Sequence, residues 1–252
     1  MTDTSTLRDR FTAATGTWGP AWQGMLDLDP AFLEAYLDLA SVPAKKGHLD
    51  AKTRAFIGLT VDAAATHLHE PGIRHHIETA IASGASPQEV MEVIELTSTL
   101  GIHAMNVHVP VLAEVLEARG QGVARTGLDE AQEALKAEFV AKRGFWNDAW
   151  EQILVFDPEI FAAYTTFSSV PWVSGTLDRK TKSLIYMAFD SSATHLYSAG
   201  VRAHMNNALD AGATTDEILE TLEIVSVIGI HAATVAVPIL IDVVNANQKD
   251  NS

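Results

Sequence analysis

Residues 50–81 read DAKTRAFIGLTVDAAATHLHEPGIRHHIETAI, and residues 178–209 read DRKTKSLIYMAFDSSATHLYSAGVRAHMNNAL. These are two copies of one stretch. Working outward, the register holds without a gap from Leu7/Leu135 to Val115/Val243, with about 40% of aligned positions identical, which marks an internal duplication. Its other landmarks are Trp22/Trp150, Asp29-Pro30/Asp157-Pro158, Tyr36/Tyr164, Val42-Pro43/Val170-Pro171, Gly101-Ile102-His103-Ala104/Gly229-Ile230-His231-Ala232 and Val109-Pro110/Val237-Pro238. A repeat this long is no solenoid unit. Each copy is expected to be a small domain, residues 1–116 and 135–252, joined by a glycine-containing linker at 117–134.

Within each copy apolar residues recur every three to four positions and no run alternates in the manner of a strand, so the fold class is all-α. The spacing predicts a first helix from Asp50/Asp178, whose side chain caps it, to about His69/Tyr197. A second covers about Glu70 to Ser83 and stops at Gly84/Gly212. The third opens on Ser86-Pro87-Gln88-Glu89 or Thr214-Thr215-Asp216-Glu217, both capping boxes, and is expected to bend or break near Pro110/Pro238. The apolar stretch Ile224–Ile241 reads as a buried helix rather than a membrane span, because Ser226, His231, Thr234 and Pro238 interrupt it. Trp18, Trp22, Trp146 and Trp150 read as packing anchors, and Glu92 as a solvated side chain.

Composition narrows the function. The 252 residues carry 17 Lys+Arg against 32 Asp+Glu, a formal charge of −15, so a nucleic-acid partner is not expected. With no cysteine, disulfide, thiolate-nucleophile and thiolate-metal chemistry are excluded together. The N-terminal MTDTSTLRDRF has neither the basic start nor the apolar run of a secretory signal; a cytoplasmic location and no membrane partner are the expectation.

Chemistry must then come from histidine, carboxylate, arginine, tyrosine or serine. Six of the ten histidines form pairs across the duplication: His67/His195, His76/His204 and His103/His231. His76 shares a helical face with Ile73, Ile77 and Ala80, and His103 one with Leu96, Thr99 and Val107, so these imidazoles face inward. A buried imidazole without a partner costs about 1–3 kcal/mol. Each alone reads as a satisfied core residue; the set points to a shared polar pocket able to do acid/base work. No HxH or HExxH sits at convincing helical spacing, and on a regular helix His67 and His69 point to different faces, so no metal ligand is assigned. Arg74 and Arg202 point away from the histidine face. Arg202 persists where the acidic neighbours of Arg74 are replaced by Ser198 and Asn206, which suggests a carboxylate clamp.

The run from Lys52 through Gly72-Ile73-Arg74-His75-His76-Ile77, Gly84-Ala85-Ser86-Pro87-Gln88-Glu89-Val90 and Gly101-Ile102-His103-Ala104, repeated in the second half, resembles the carboxymuconolactone decarboxylase and AhpD-like superfamily. The resemblance implies two tandem AhpD-like helical domains and an assembly like the family's rings of six, here a trimer of fused pairs. The AhpD-like branch works through a CxxC pair. Those cysteines align with His67 and Glu70, or His195 and Ser198, so thiol peroxidase activity is excluded chemically. The decarboxylase branch is cofactor-free, and its second-helix histidine corresponds to His76 and His204. Where that branch has Gly-x-Pro in its third helix, this chain has Gly101-Ile102-His103 and Gly229-Ile230-His231, an added imidazole.

The resulting expectation is a cofactor-free lyase or isomerase acting on a small carboxylated or lactone-type metabolite. His67, His76, His103, His195, His204 and His231 would be catalytic, and Arg74 and Arg202 substrate-binding. The competing expectation is a histidine-lined metal- or ligand-binding protein on the same scaffold.

Overall fold

The computed structural model describes residues 4–122 and 127–250. The first repeat folds as α1 (Thr4–Thr15), α2 (Pro20–Leu28), α3 (Pro30–Ala40), α4 (Val42–Lys46), α5 (Ala51–Ala63), α6 (Glu70–Ala82), α7 (Pro87–Thr97) and α8 (His103–Ala118). The second folds as α9 (Glu130–Arg143), α10 (Ala149–Phe156), α11 (Pro158–Val173), α12 (Arg179–Ser191), α13 (Ser198–Asp210), α14 (Thr215–Ser226) and α15 (Ile230–Asp250). The described residues contain no strand, and the fold is all-α. Both ends of the segment expected as linker are helical, since α8 runs to Ala118 and α9 starts at Glu130; residues 123–126 lie outside the described residues.

Local signals act where the sequence places them. Asp50 and Asp178 accept from Thr53 N and Thr181 N at the starts of α5 and α12, and both capping boxes form, Ser86 with Glu89 and Thr214 with Glu217. Three expectations are corrected. Helix α5 stops at Ala63, six residues short of His69, because the backbone turns extended at Ala64 (ψ 136°), as it does at Ser192 after α12 (ψ 139°); Leu68 and Leu196 then take left-handed φ of 49° and 50°. The long C-terminal helices are interrupted by 3-10 turns at Ser98–Ile102 and Val227–Gly229, while Pro110 and Pro238 lie inside α8 and α15. Finally, within 224–241 only Val225 and Ile230 are buried, so this is no core helix.

The core lies between the repeats. Helices α5 and α12 pack on each other, buried without a break from Ala55 to Asp62 and from Thr181 to Asp190. Helices α7 and α14 each pack against both of them. The last helix of each repeat crosses to the other repeat's N-terminal helices: α15 lies on α2, where Ile230 and Val237 meet Phe11, Met25 and Leu33, and α8 lies on α10, where Val109 meets Phe139, Trp150 and Ile153. Trp18, Trp22, Trp146 and Trp150 do anchor these two clusters. Glu92, expected in solvent, is buried. It pairs with Lys182 at 3.0 Å and accepts from Thr176 N and Leu177 N of the other repeat; Glu220 does the same for His48 N and Arg54.

Candidate active site

The exchange of helices brings imidazoles of opposite repeats together. The N-terminus of α15 places His231 against the loop that follows α5, and His67 Nε2 lies 2.8 Å from His231 Nδ1. The N-terminus of α8 does the same for the loop after α12, with His103 Nδ1 2.7 Å from His195 Nε2. The loops meet at the pseudo-twofold axis, where the hydroxyls of Thr66 and Thr194 stand 3.3 Å apart.

Both loops have one construction. His67 N and Leu68 N bond Ala64 O, His69 N returns to Asp62 O at 2.9 Å, and the left-handed Leu68 turns His67 and His69 to the same side. Their ring centroids are 5.6 Å apart, and His69 stacks on His231 at 3.7 Å. The separation of His67 and His69 expected from a regular helix is therefore overturned. In the second loop Tyr197 replaces His69 and packs on His103 at 4.1 Å.

Beneath each imidazole pair lies a carboxylate. Asp62, the last buried residue of α5, has Oδ1 3.7 Å from His67 Nε2 and 3.5 Å from His231 Nδ1, with Oδ2 3.4 Å from His76 Nε2. Asp190 repeats this with Oδ1 3.6 Å from His103 and 3.9 Å from His195, and Oδ2 3.9 Å from His204. Room for the carboxylates is made by glycine: a Cβ on Gly72 would sit 1.8 Å from Asp62 Oδ2, and one on Gly200 2.0 Å from Asp190 Oδ2. Asp62 and Asp190 are part of the constellation that the sequence reading passed over. Their retention at matching places in both copies, each a charge in an apolar helix, was the available signal.

Burial dominates the electrostatics. Desolvation lifts the Asp62 carboxyl to about 7 and that of Asp190 to about 8. It pushes His231 and His103 down to about 3, helped by the neighbouring imidazoles, and lowers His67, His69 and His195 as well. His76 and His204, deeper still, are also held near 3, His204 with added repulsion from Arg143.

Cavities lie against both clusters. His67, His69 and His231 line an open cavity of about 680 Å³ with Leu68, Ile228 and Val235 on its walls, within the size range of small-molecule sites. The cavity at His103 and His204 is about 30 Å³, room for roughly one water. It is not the counterpart of the first: its walls include Phe145, Trp150, Tyr164 and Tyr186, on the His204 side of the second cluster, whereas the first opens beside the His67–His69 loop and α15. Tyr186 stands where the first copy has Gly58 and stacks on His204 at 4.5 Å, whereas the His76 ring lies directly over Gly58. Arg143, in place of Thr15, is buried beneath Tyr186 and Trp172 and bonds the Ser168 hydroxyl at 2.9 Å.

Of the expected site residues, all six paired histidines fall in the two clusters, three per cluster: His67, His76 and His231, and His103, His195 and His204. Each cluster draws on both repeats. Arg74 and Arg202 do not join them. Both are exposed, and Arg74 pairs with Glu70 at 3.7 Å.

The molecule is thus a pseudo-symmetric all-helical protein with paired histidine–aspartate sites. Residues 30–108 and 158–242 match the carboxymuconolactone decarboxylase family, and the chain belongs to it. A crystal structure of a "putative gamma-carboxymuconolactone decarboxylase subunit" from Burkholderia xenovorans LB400 is similar over 97% of this chain and 98% of that one, with 50% identity and a TM-score of 0.95. None of the curated proteins shows significant similarity.

Proposed function

We propose that this protein is a lyase or isomerase that acts on a small carboxylated or lactone-type metabolite, chiefly at the Asp62 cluster. The observation that carries this reading is the 680 Å³ cavity, apolar on its walls and lined by His67, His69 and His231. Family membership supports the class of reaction. In a decarboxylation the bond from carbon to carboxylate breaks, its electron pair moves into a conjugated lactone carbonyl, CO₂ leaves and the carbon takes a proton. The site must therefore meet a developing oxyanion and supply that proton. Imidazoles facing the cavity can do both, one donating a hydrogen bond to the oxyanion and another relaying a proton from the solvent of the open cavity to carbon, taking it up at one ring nitrogen as it gives one from the other. The apolar walls favour loss of the carboxylate's charge. His76 lies behind Asp62 and serves as a positioning residue.

The test is ultraviolet absorbance of 4-carboxymuconolactone incubated with the purified protein and with a His67→Ala/His231→Ala variant. Substrate loss by the wild type, absent in the variant, is expected. No loss by the wild type, or equal loss by both, overturns the reading.

The partner surface follows from the exposed helices. Val107, Val111, Leu112 and Val115 on α8, and Val235, Ile239, Leu240, Val243 and Val244 on α15, are apolar and solvent-facing in one chain. The stretches Pro87–Ala118 and Thr215–Lys249 are apolar and long enough by composition to cross a membrane, yet a self-association surface has the same character. Our reading is a trimer of fused pairs in the cytoplasm. Light scattering in detergent-free buffer should give three times the 27.1 kDa chain mass. A monomer at micromolar concentration, or a protein soluble only in detergent, would contradict it.

A further inference from the structure

We infer that each histidine–aspartate cluster is a binding site for a divalent first-row transition metal, held by His67, His231 and Asp62 in one and by His195, His103 and Asp190 in the other. The argument starts from three distances. In the first cluster the two ring nitrogens are 2.8 Å apart, and Asp62 Oδ1 lies 3.7 and 3.5 Å from them. A triangle with these sides has its equidistant point about 2.0 Å from every corner, the length of a metal bond to imidazole or carboxylate. In the second cluster the sides are 2.7, 3.6 and 3.9 Å, and the equidistant point is again about 2.0 Å away. The same coordination triangle is thus built twice, from a histidine of each repeat and a carboxylate.

The carboxylates point to a ligand independently. Their side chains are 3% and 0% exposed, and Asp62 Oδ2 and both oxygens of Asp190 accept no hydrogen bond among the described residues. A carboxylate buried without donors is costly, and the imidazole nitrogens around the two carboxylates stand at least 3.4 Å away, too far for a good hydrogen bond. A cation at the equidistant point would meet all three donor atoms at once. Two imidazoles and one carboxylate, with no thiolate, suit iron, cobalt, nickel, zinc or manganese better than calcium or magnesium, and leave coordination positions open.

The clusters are unequal in the fourth group. His69 stands among the ligand atoms of the first, all within 4.8 Å of one another, where the second has Tyr197. The first is therefore the tighter site, and its open positions face the 680 Å³ cavity. This assignment replaces the metal-free expectation. The single-repeat spacing rules fail here because the ligands are drawn from both repeats. The metal site stands on its own geometry; that the ion meets the oxyanion of a carboxylated substrate rests on the lyase reading above.

The probe is Co(II), added to full-length protein stripped with chelator and then dialysed. The expected result is at least one equivalent retained per chain, visible ligand-field absorption, and loss of both in Asp62→Ala/Asp190→Ala. Because removing a buried carboxylate can disturb folding, His67→Gln/His195→Gln is measured beside it, with helicity checked by circular dichroism; it too should lose the metal. No retention by the wild type overturns the inference, as does full retention by either folded variant. Lactone loss by chelated protein that binds no Co(II) removes the metal and leaves the lyase; Co(II) retention with no lactone loss under any metal removes the lyase and leaves the metal.

Discussion

Replacing His67 or His231 by alanine should lower kcat/KM for a carboxylated lactone by about 100- to 1000-fold, the range seen when one group that stabilises a developing oxyanion is removed. The same change at His103 or His195 should cost less than about threefold. The sequence pairs these four residues across the duplication, but gives only the first copy a histidine at 69, where the second has Tyr197. The structure makes them unequal in their surroundings: His67 and His231 line an open cavity of about 680 Å³ together with His69, while Tyr197 stands in the place of His69 and packs on His103 at 4.1 Å. Steady-state kinetics on the four single variants, each with circular dichroism confirming its helicity, decides the matter. Equal losses at both clusters would show that both are open to substrate and would overturn the asymmetry.

What could be read from sequence was what neighbours along the chain determine. The duplication, the helical period, the capping aspartates Asp50 and Asp178 and both capping boxes are local, and each stands where the pattern puts it. The inward orientation of the paired histidines was also legible, since it follows from helical period alone. Their partners were not. His67 meets His231 across 164 residues and His103 meets His195 across 92, because α8 and α15 cross to the opposite repeat. No periodicity encodes which groove a helix chooses. The left-handed turn at Leu68 was equally hidden, since that conformation is the habit of glycine or asparagine rather than leucine. It is this turn that gathers His67 and His69 on one side. Asp62 escaped because a charge near a helix end reads as a surface residue until the helix is known to be buried on every side.

Glu92 was misread for the same reason, and its removal should be the most destabilising single change outside the apolar core. Its carboxylate and the Lys182 ammonium are 4% and 5% exposed and 3.0 Å apart, and it also accepts from Thr176 N and Leu177 N. Glu92→Ala strands a buried cation and two backbone donors together, a loss of about 3–5 kcal/mol for breaking a buried pair from one side. The pseudo-symmetric Glu220→Ala should cost less, about 1–3 kcal/mol, because its partner Arg54 is 24% exposed and can turn to water. Removing both charges, as in Glu92→Leu/Lys182→Met, should recover part of the Glu92→Ala loss but not all, since the amides of the Thr176 loop remain unpaired. Urea midpoints for the four proteins give the order: wild type highest, then Glu220→Ala, with the double variant above Glu92→Ala. A Glu92→Ala midpoint within error of wild type would mean that water reaches Lys182 and that the repeats are held together by their apolar contacts alone.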